Sequence, residues 1–456
     1  MAPATQMAAP PPRGGSFRVL RTARVAPSSP DGVPSLRQRA VPLTFLDAMW
    51  LPTPPVDRVF LYRLGAADDD VDAVLSRLAD SLSRVLHVFY PLAGRLRLTP
   101  GKTNRYELFY QPGDAVAFTV AEHDDGVGVD ELAADDPREV AKIAPLAPEL
   151  PDGGAVLAVQ ATVLPPARRG LALGVTVHHA ACDGSSSTHF LHTWAAACAG
   201  AVVLPKPPVI DRTFIRERED LYDIMVNRTK EESDKFSSPD VADNKLLATF
   251  TLSGEILQNI KDIVAAPSVH CHIHAALASD VEAENNPRNH GRAHFVFPTD
   301  HRARMEPRVP DKYLGNCVGP CFASAPKKEI AAADAEDGLF TTCAAIAAAI
   351  DEGTRYDPGY WERCREHVRG MSTSDGPPLA VAGSPRFRVY DVDFGFGRPT
   401  KVDVVSVAKT GAISVAEGRG GGIEVGVGLP PERMERFRRC FTDAVTWLSS
   451  PSSSDT

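Results

Sequence analysis

The sequence is most informative first in what it lacks. None of its eight cysteines, Cys182, Cys198, Cys271, Cys317, Cys321, Cys343, Cys364 and Cys440, forms a C-x-x-C pair. That speaks against zinc knuckles, redox dithiols and a disulfide scaffold, and it leaves buried thiols in a reducing compartment as the expectation. No apolar run approaches the ~20 residues a membrane span needs. The opening "MAPATQMAAPPPRGGSFRVLRTARV" has no apolar h-region, so no secretory signal is expected and a cytoplasmic location follows as the default. Lysine and arginine never cluster into a stripe that could track phosphates, and with 49 basic against 58 acidic residues the net charge is −9; nucleic acid and membrane surface are both poor partners. The glycine cluster "GRGGG" lacks a following Gly-Lys-Ser/Thr, which removes a phosphate loop, and no G-x-S-x-G elbow exists for a serine hydrolase.

What is present is length and punctuation. A chain of 456 residues with 39 prolines and 34 glycines exceeds one hydrophobic core and calls for two domains rich in turns. "SFRVLRTARVAP" and "DRVFLYRL" alternate as strands. From Asp69 to Leu86 the residues Val71, Val74, Leu75, Leu78, Leu82, Val85 and Leu86 recur at helical spacing. "GAVLAVQATVLPP" and "LALGVTV" read as strands joined by "ARRG". Ser185, Ser186 and Ser187 offer N-caps for the helix "THFLHTWAAACAG", which Gly200 stops. A proline-rich and then charged stretch over 206–245 reads as a crossover between a first unit at 17–205 and a second at 246–448, with flexible ends at 1–16 and 449–456. Near the end, "TKVDVVSVAKTGAISVAEGRGGGIEVGVGL" reads as an antiparallel meander under a final amphipathic helix.

The chemistry concentrates in "GVTVHHAACDGSSSTHF". A histidine leaving a buried strand at a tight bend, with one ring nitrogen fixed by a backbone carbonyl, can present the other to a cleft and take a proton from a hydroxyl. His179 with Asp183 could instead ligate a metal at i and i+4, but Gly184 follows at once and no third ligand is near. "HCHIH" would set His270, His272 and His274 on one side of a strand, as a second metal candidate. A hydrogen-bonded core histidine at a strand end is the plain alternative.

"HHAACDG", "YLGNC" at 313–317 and "DFGFG" at 393–397, in that order, resemble the BAHD acyl-CoA-dependent acyltransferases of plants. The likeness also takes in "PLTFLDAMWL", "FYPLAGRLR", "PPVIDRTFI" and "DHRARMEPRVPDKYLGN", and runs from about Phe17 to Leu448. "YLGNC" and "GSPRFRVYDVDFG" look like the branch that acylates anthocyanins and other phenolic glycosides. The resemblance implies an α/β fold of two chloramphenicol-acetyltransferase-like domains, each a mixed sheet with flanking helices, with a channel at their interface. It implies an O-acyltransferase, a monomer without metal or permanently bound cofactor, that uses acyl-CoA as cosubstrate. His179 would be the general base and His178 a bystander. Asp183 would point away from the channel and pair with Arg302 to brace the bend. Asp393, Gly395 and Gly397 would fix a loop, in which Phe396 replaces the family's tryptophan. Ser384 is a candidate oxyanion donor, Lys327 and Lys328 are candidates for the CoA phosphates, and Asn316 would order the loop between domains. Malonyl-CoA stands ahead of hydroxycinnamoyl-CoA as donor, although Ser185 is neutral where malonyl-using relatives can carry a basic residue. The acceptor would be a glucosyl hydroxyl of an anthocyanin, flavonoid or other phenolic glycoside. A binding protein of the same fold without turnover, or a metalloenzyme, are the alternatives.

Overall fold

The computed structural model describes residues 17–30, 32–65, 70–123, 126–165, 169–227, 244–263, 291–330, 335–371 and 376–449. Two mixed sheets dominate. In the first, the strands Phe17–Val25, Val116–His123, Leu157–Leu164, Gly170–Val177, Val56–Arg63 and Lys401–Val404 lie side by side in that order. The second runs Val318–Pro326, Arg292–Asp300, Leu379–Gly383, Ile413–Glu417, Ile423–Leu429, Leu246–Leu252 and Arg138–Glu139. No described helix is long and apolar enough to cross a membrane.

Leu157–Leu164 and Gly170–Val177 are buried along their whole length. A strand covered on both faces needs a continuous apolar run instead of alternation, and "LAVQATVL" and "GLALGVTV" supply it. The helix Val71–Val88 lies against this sheet. Asp70 caps it by accepting from the Ala73 N–H at 3.1 Å, and Val71, Val74, Leu75, Leu78, Leu82, Val85 and Leu86 form its buried face. That stripe locks against the helix Gly184–Cys198 through Trp194, whose indole N–H donates to the Leu78 carbonyl and Ser81 Oγ, both at 3.1 Å.

Two readings of the sequence are corrected here. The C-terminal segments form no three-stranded meander. Ile413–Glu417 and Ile423–Leu429 do pair as an antiparallel hairpin, but Lys401–Val404 leaves them to pair with Val56–Arg63 on the edge of the first sheet. The connection explains this: "VAKT" makes a helical turn that closes on Gly411 at φ 73°, and such a turn redirects the chain instead of folding it back on itself. The helix after the histidines is also not capped by serine, as described below.

The halves thus exchange edge strands. Lys401–Val404 joins the first sheet, and Arg138–Glu139 joins the second beside Leu246–Leu252. One buried fork binds the exchange: Arg138 Nη1 and Nη2 donate to Asp403 Oδ2 and Oδ1 at 2.8 and 3.0 Å. Removing one member strands the other charge in the interior. Arg138→Ala is expected to cost about 3–5 kcal/mol in urea unfolding, while Arg138→Met with Asp403→Leu should recover most of that loss.

Candidate active site

The buried strand Gly170–Val177 carries the chain into a tight bend. His178 N–H donates to the Val156 carbonyl at 2.9 Å, its Nδ1 accepts from the Ala180 N–H at 3.2 Å, and a single 3₁₀ turn, His179–Ala181, follows. The next helix begins at Gly184 with Asp183 as N-cap, and its Oδ1 accepts from the Ser186 N–H at 2.9 Å. The expected serine caps lie inside the first turn instead. A carboxylate one position earlier both accepts the free N–H and complements the positive helix end.

Asp183 does more than cap. Only 2% exposed, its carboxylate also accepts from the Cys317 N–H at 3.0 Å and from Arg302 Nη2 at 2.8 Å. Arg302, 4% exposed, further donates from Nη1 to Asp300 at 3.2 Å and from Nη2 to Ser186 Oγ at 3.1 Å. Burial alone would push its charge off, but Asp183 and Asp300 reverse this and hold the guanidinium above its usual range. Ser186 Oγ donates to the carbonyls of Tyr313 and Gly315 at 2.8 and 3.0 Å. The "DHRAR" and "YLGNC" segments are thereby stitched to the helix start.

Asn316 closes the bend from the other side. Its Nδ2 donates to the His179 carbonyl and to Asp47 Oδ1, both at 3.0 Å, and its backbone N–H donates to the same Oδ1 at 2.8 Å. The second oxygen of Asp47 accepts from Thr44 N–H and Oγ1 at 2.9 and 2.8 Å, a capping box on the short helix Phe45–Ala48. That helix delivers Trp50, whose indole stacks on the His179 imidazole at 3.8 Å between centroids and 10° between planes. Sequence reasoning missed Asp47 and Trp50 as site residues. The T-x-x-D of "TFLDAMW" was the available signal for the first; nothing local marks the second. The ring of His179 is held by this stack, with its buried Nδ1 near its own backbone and the Asn316 side chain but outside good hydrogen-bond geometry. Burial pushes its pKa down to about 4; its own backbone, Asp183 and Asn316 oppose this, and the Arg58 cation adds a smaller downward push. The imidazole is neutral at physiological pH and able to accept a proton.

The remaining candidates lie elsewhere. Asp393 Oδ1 accepts from the N–H groups of Gly395 and Gly397 at 2.8 and 3.0 Å, and both glycines have the positive φ (92° and 102°) that this loop requires. Phe394 and Phe396 pack on Tyr62, whose hydroxyl donates to the Val392 carbonyl at 2.9 Å. Ser384 begins the short turn Pro385–Phe387, with Oγ accepting from the Arg386 N–H at 3.2 Å. The same turn reaches the middle of that helix, where the Phe387 carbonyl bonds His192 Nε2 at 3.0 Å. Lys327 and Lys328 follow the strand Val318–Pro326. They are not brought to the bend, because a nine-residue strand separates them from Cys317 by on the order of 30 Å. His270, His272 and His274 lie outside the described residues. No cluster of three metal-ligating side chains occurs among the described residues. Cys182, Cys198, Cys317, Cys321 and Cys364 are buried free thiols.

The bend lies where segments of both halves meet, and the comparisons with known proteins say to which class the chain belongs. The family model described as Transferase family matches residues 17–444, and the chain belongs to that family, the BAHD acyl-CoA-dependent acyltransferases. It is 31% identical to "Phenolic glucoside malonyltransferase 1" of Arabidopsis thaliana, over 92% of this chain and 96% of that protein. It is likewise 31% identical to the Arabidopsis "Malonyl-CoA:anthocyanidin 5-O-glucoside-6''-O-malonyltransferase" (94% and 98% covered), and 28% identical to an Arabidopsis anthocyanidin 3-O-glucoside-6''-O-coumaroyltransferase (92% and 96% covered). The crystal structure of vinorine synthase shares the fold, with TM-score 0.70 and 20% identity over 92% of this chain and 96% of that one. So does Fusarium graminearum TRI101 in complex with coenzyme A and T-2 mycotoxin, with TM-score 0.62 and 16% identity over 88% and 97%. The cosubstrate of this acyltransferase is an acyl-CoA.

Two outcomes follow from the site's geometry. Asp183→Asn leaves one acceptor oxygen for three donors, the Ser186 and Cys317 N–H groups and Arg302, and should cost about 3 kcal/mol in urea unfolding. The second concerns pH. Burial depresses His179 and His189 to about 4 and His301 to about 3, below the ~6.5 of an unfolded histidine. The unfolded chain therefore binds protons first on acidification. Stability should be full above pH ~6.5 and fall steadily towards pH 4, with a slope near pH 5 corresponding to uptake of about three protons; a urea midpoint that stays flat over this range would contradict it.

Proposed function

We propose that this protein transfers an acyl group from an acyl-CoA thioester to a sugar hydroxyl of an anthocyanin, flavonoid or other phenolic glycoside, with malonyl-CoA preferred to hydroxycinnamoyl-CoA and His179 as general base. The observation that carries the reading is the placement of the His179 imidazole, stacked on Trp50 in a bend that both halves of the chain clamp. As the acceptor oxygen attacks the thioester carbonyl, its proton passes to His179 Nε2. The tetrahedral oxyanion then collapses, the C–S bond breaks, and the CoA thiolate takes the proton from the imidazolium. No acyl-enzyme forms. Ser384 is read as a hydroxyl donor to the oxyanion, its Oγ–H being free to turn because the oxygen accepts from Arg386. Lys327 and Lys328 are read as cations for the CoA phosphates. Asp183, Arg302 and Asn316 are read as positioning residues, and Asp393, Gly395 and Gly397 as the brace of a loop away from the chemistry. Names of relatives support both donors and a glycoside acceptor.

The test follows free thiol released from malonyl-CoA or coumaroyl-CoA in the presence of a flavonoid glucoside. Malonyl-CoA should give the higher kcat/KM, and a tenfold preference for coumaroyl-CoA would reverse the donor assignment. His179→Ala should lose ~10²–10⁴-fold in kcat with an unchanged melting temperature, and His178→Ala much less. Folded wild-type protein that releases no thiol from any donor would instead be a binding protein.

A further inference from the structure

Arg58 stands apart from the other buried arginines. It lies on the strand Val56–Arg63, in register with Val175, two residues before the neighbouring strand enters the histidine bend. Only 8% exposed, it bonds from Nη1 to Ser187 Oγ and Thr188 Oγ1, each at 3.3 Å. These are hydroxyls on the first turns of the helix that follows His179.

No carboxylate meets Arg58 among the described residues, and its hydrogen bonds to the helix are made from Nη1. The buried carboxylates of Asp183, Asp57 and Asp47 are engaged elsewhere. Asp183 takes Arg302 at 2.8 Å, Asp57 takes Lys409 at 2.7 Å and Thr176 at 3.2 Å, and Asp47 takes Asn316 and Thr44. By contrast Arg138 and Arg302 each hold a buried carboxylate. A helix N-terminus adds positive potential to the same place. Burying a charge without a counter-ion is unfavourable unless something of opposite sign arrives there. Burial indeed pushes the Arg58 pKa down.

We propose that Arg58 receives the free carboxylate of a dicarboxylic acyl donor, and so sets the preference for malonyl-CoA over donors whose acyl group is neutral. The assignment rests on the acyltransferase reading above. It also accounts for Ser185, which leaves the position after the Asp-Gly pair neutral: the cation comes from the adjacent strand instead and reaches the same helix. The planar guanidinium fork matches a carboxylate with two parallel donors, which a lysine cannot do. Pairing has a further consequence. Unpaired, the Arg58 cation depresses His179; with a carboxylate on it, that field is cancelled, and the imidazole becomes a stronger base when the donor is in place.

The experiment compares kcat/KM for malonyl-CoA and acetyl-CoA with one flavonoid glucoside, in wild type, Arg58→Met and Arg58→Lys. Both donors carry the same CoA phosphates, so their ratio isolates the acyl carboxylate from any phosphate contact. Arg58→Met should lower the malonyl-to-acetyl ratio on the order of 100-fold, because any change in the basicity of His179 acts on both donors and cancels in the ratio. Arg58→Lys should keep a reduced preference for malonyl-CoA, and it carries the test if the Met variant does not fold: an equal fall for both donors would then overturn the assignment. Wild type that uses malonyl-CoA while the ratio survives Arg58→Met overturns the role of Arg58 and leaves the proposed function standing. Wild type that releases thiol from coumaroyl-CoA alone overturns both the donor order and Arg58. If no donor releases thiol, the transferase reading fails, and equilibrium dialysis decides Arg58 separately: tighter binding of malonyl-CoA than of acetyl-CoA, lost in Arg58→Met, upholds it, and equal affinities overturn it.

Discussion

The two oxygens of Asp183 take up a helix N–H, a loop N–H and a guanidinium at once. The helix N–H begins the element that follows the histidine bend. The loop N–H belongs to Cys317 and the guanidinium to Arg302, both more than a hundred residues away in the second half. The site therefore exists only when the two halves are together. Because each donor is buried, none can turn to water if the carboxylate is lost, so the arrangement holds as a unit or fails as one. Ser186 and Asn316 extend it by tying the Tyr313–Gly315 carbonyls and the His179 carbonyl into the same lattice.

The exchange of edge strands does for the scaffold what Asp183 does for the bend. Lys401–Val404 and Arg138–Glu139 each complete the other half's sheet, and the pairs Arg138–Asp403 and Arg419–Asp135 cross the same boundary. Arg419 joins Asp135 to Glu424 at 2.6 and 2.7 Å, and the Tyr390 hydroxyl donates to Glu424 at 2.6 Å. Rigid-body drift between the halves would have to break buried charge pairs, which keeps Arg302 and Asn316 in place against the bend. The position of His179 is thus set by contacts far from the imidazole, while its basicity is set by burial and by the charges of Arg58 and Asp183.

Much of this was legible in the residues. The helical stripe from Val71 to Leu86 and the uniformly apolar strands before the histidines specify their own burial, since periodicity and composition act locally. The bend that carries His179 could be read from its place at a strand end. Asp183 could be read as a partner in the bend but not as the helix cap, because three serines beside it offered the same chemistry. The C-terminal meander failed for a similar reason: alternation marks Lys401–Val404 as a strand and says nothing of which strand it joins.

What the sequence by itself determined is therefore the elements, the histidine bend and, through its motifs, the family. Each depends on residues within one or two turns of each other. What only the tertiary structure decided is which charges meet. The pair of Arg302 with Asp183, 119 positions apart, is the one that the family motifs had implied; but Asp47 meets Asn316, Trp50 stacks on His179 from the turn after Phe45–Ala48, and Arg58, one arginine among many in the sequence, meets no carboxylate among the described residues. Pairing of buried charges is a property of three-dimensional neighbourhoods, where the absence of water makes every partner count, and no local pattern in a sequence encodes it.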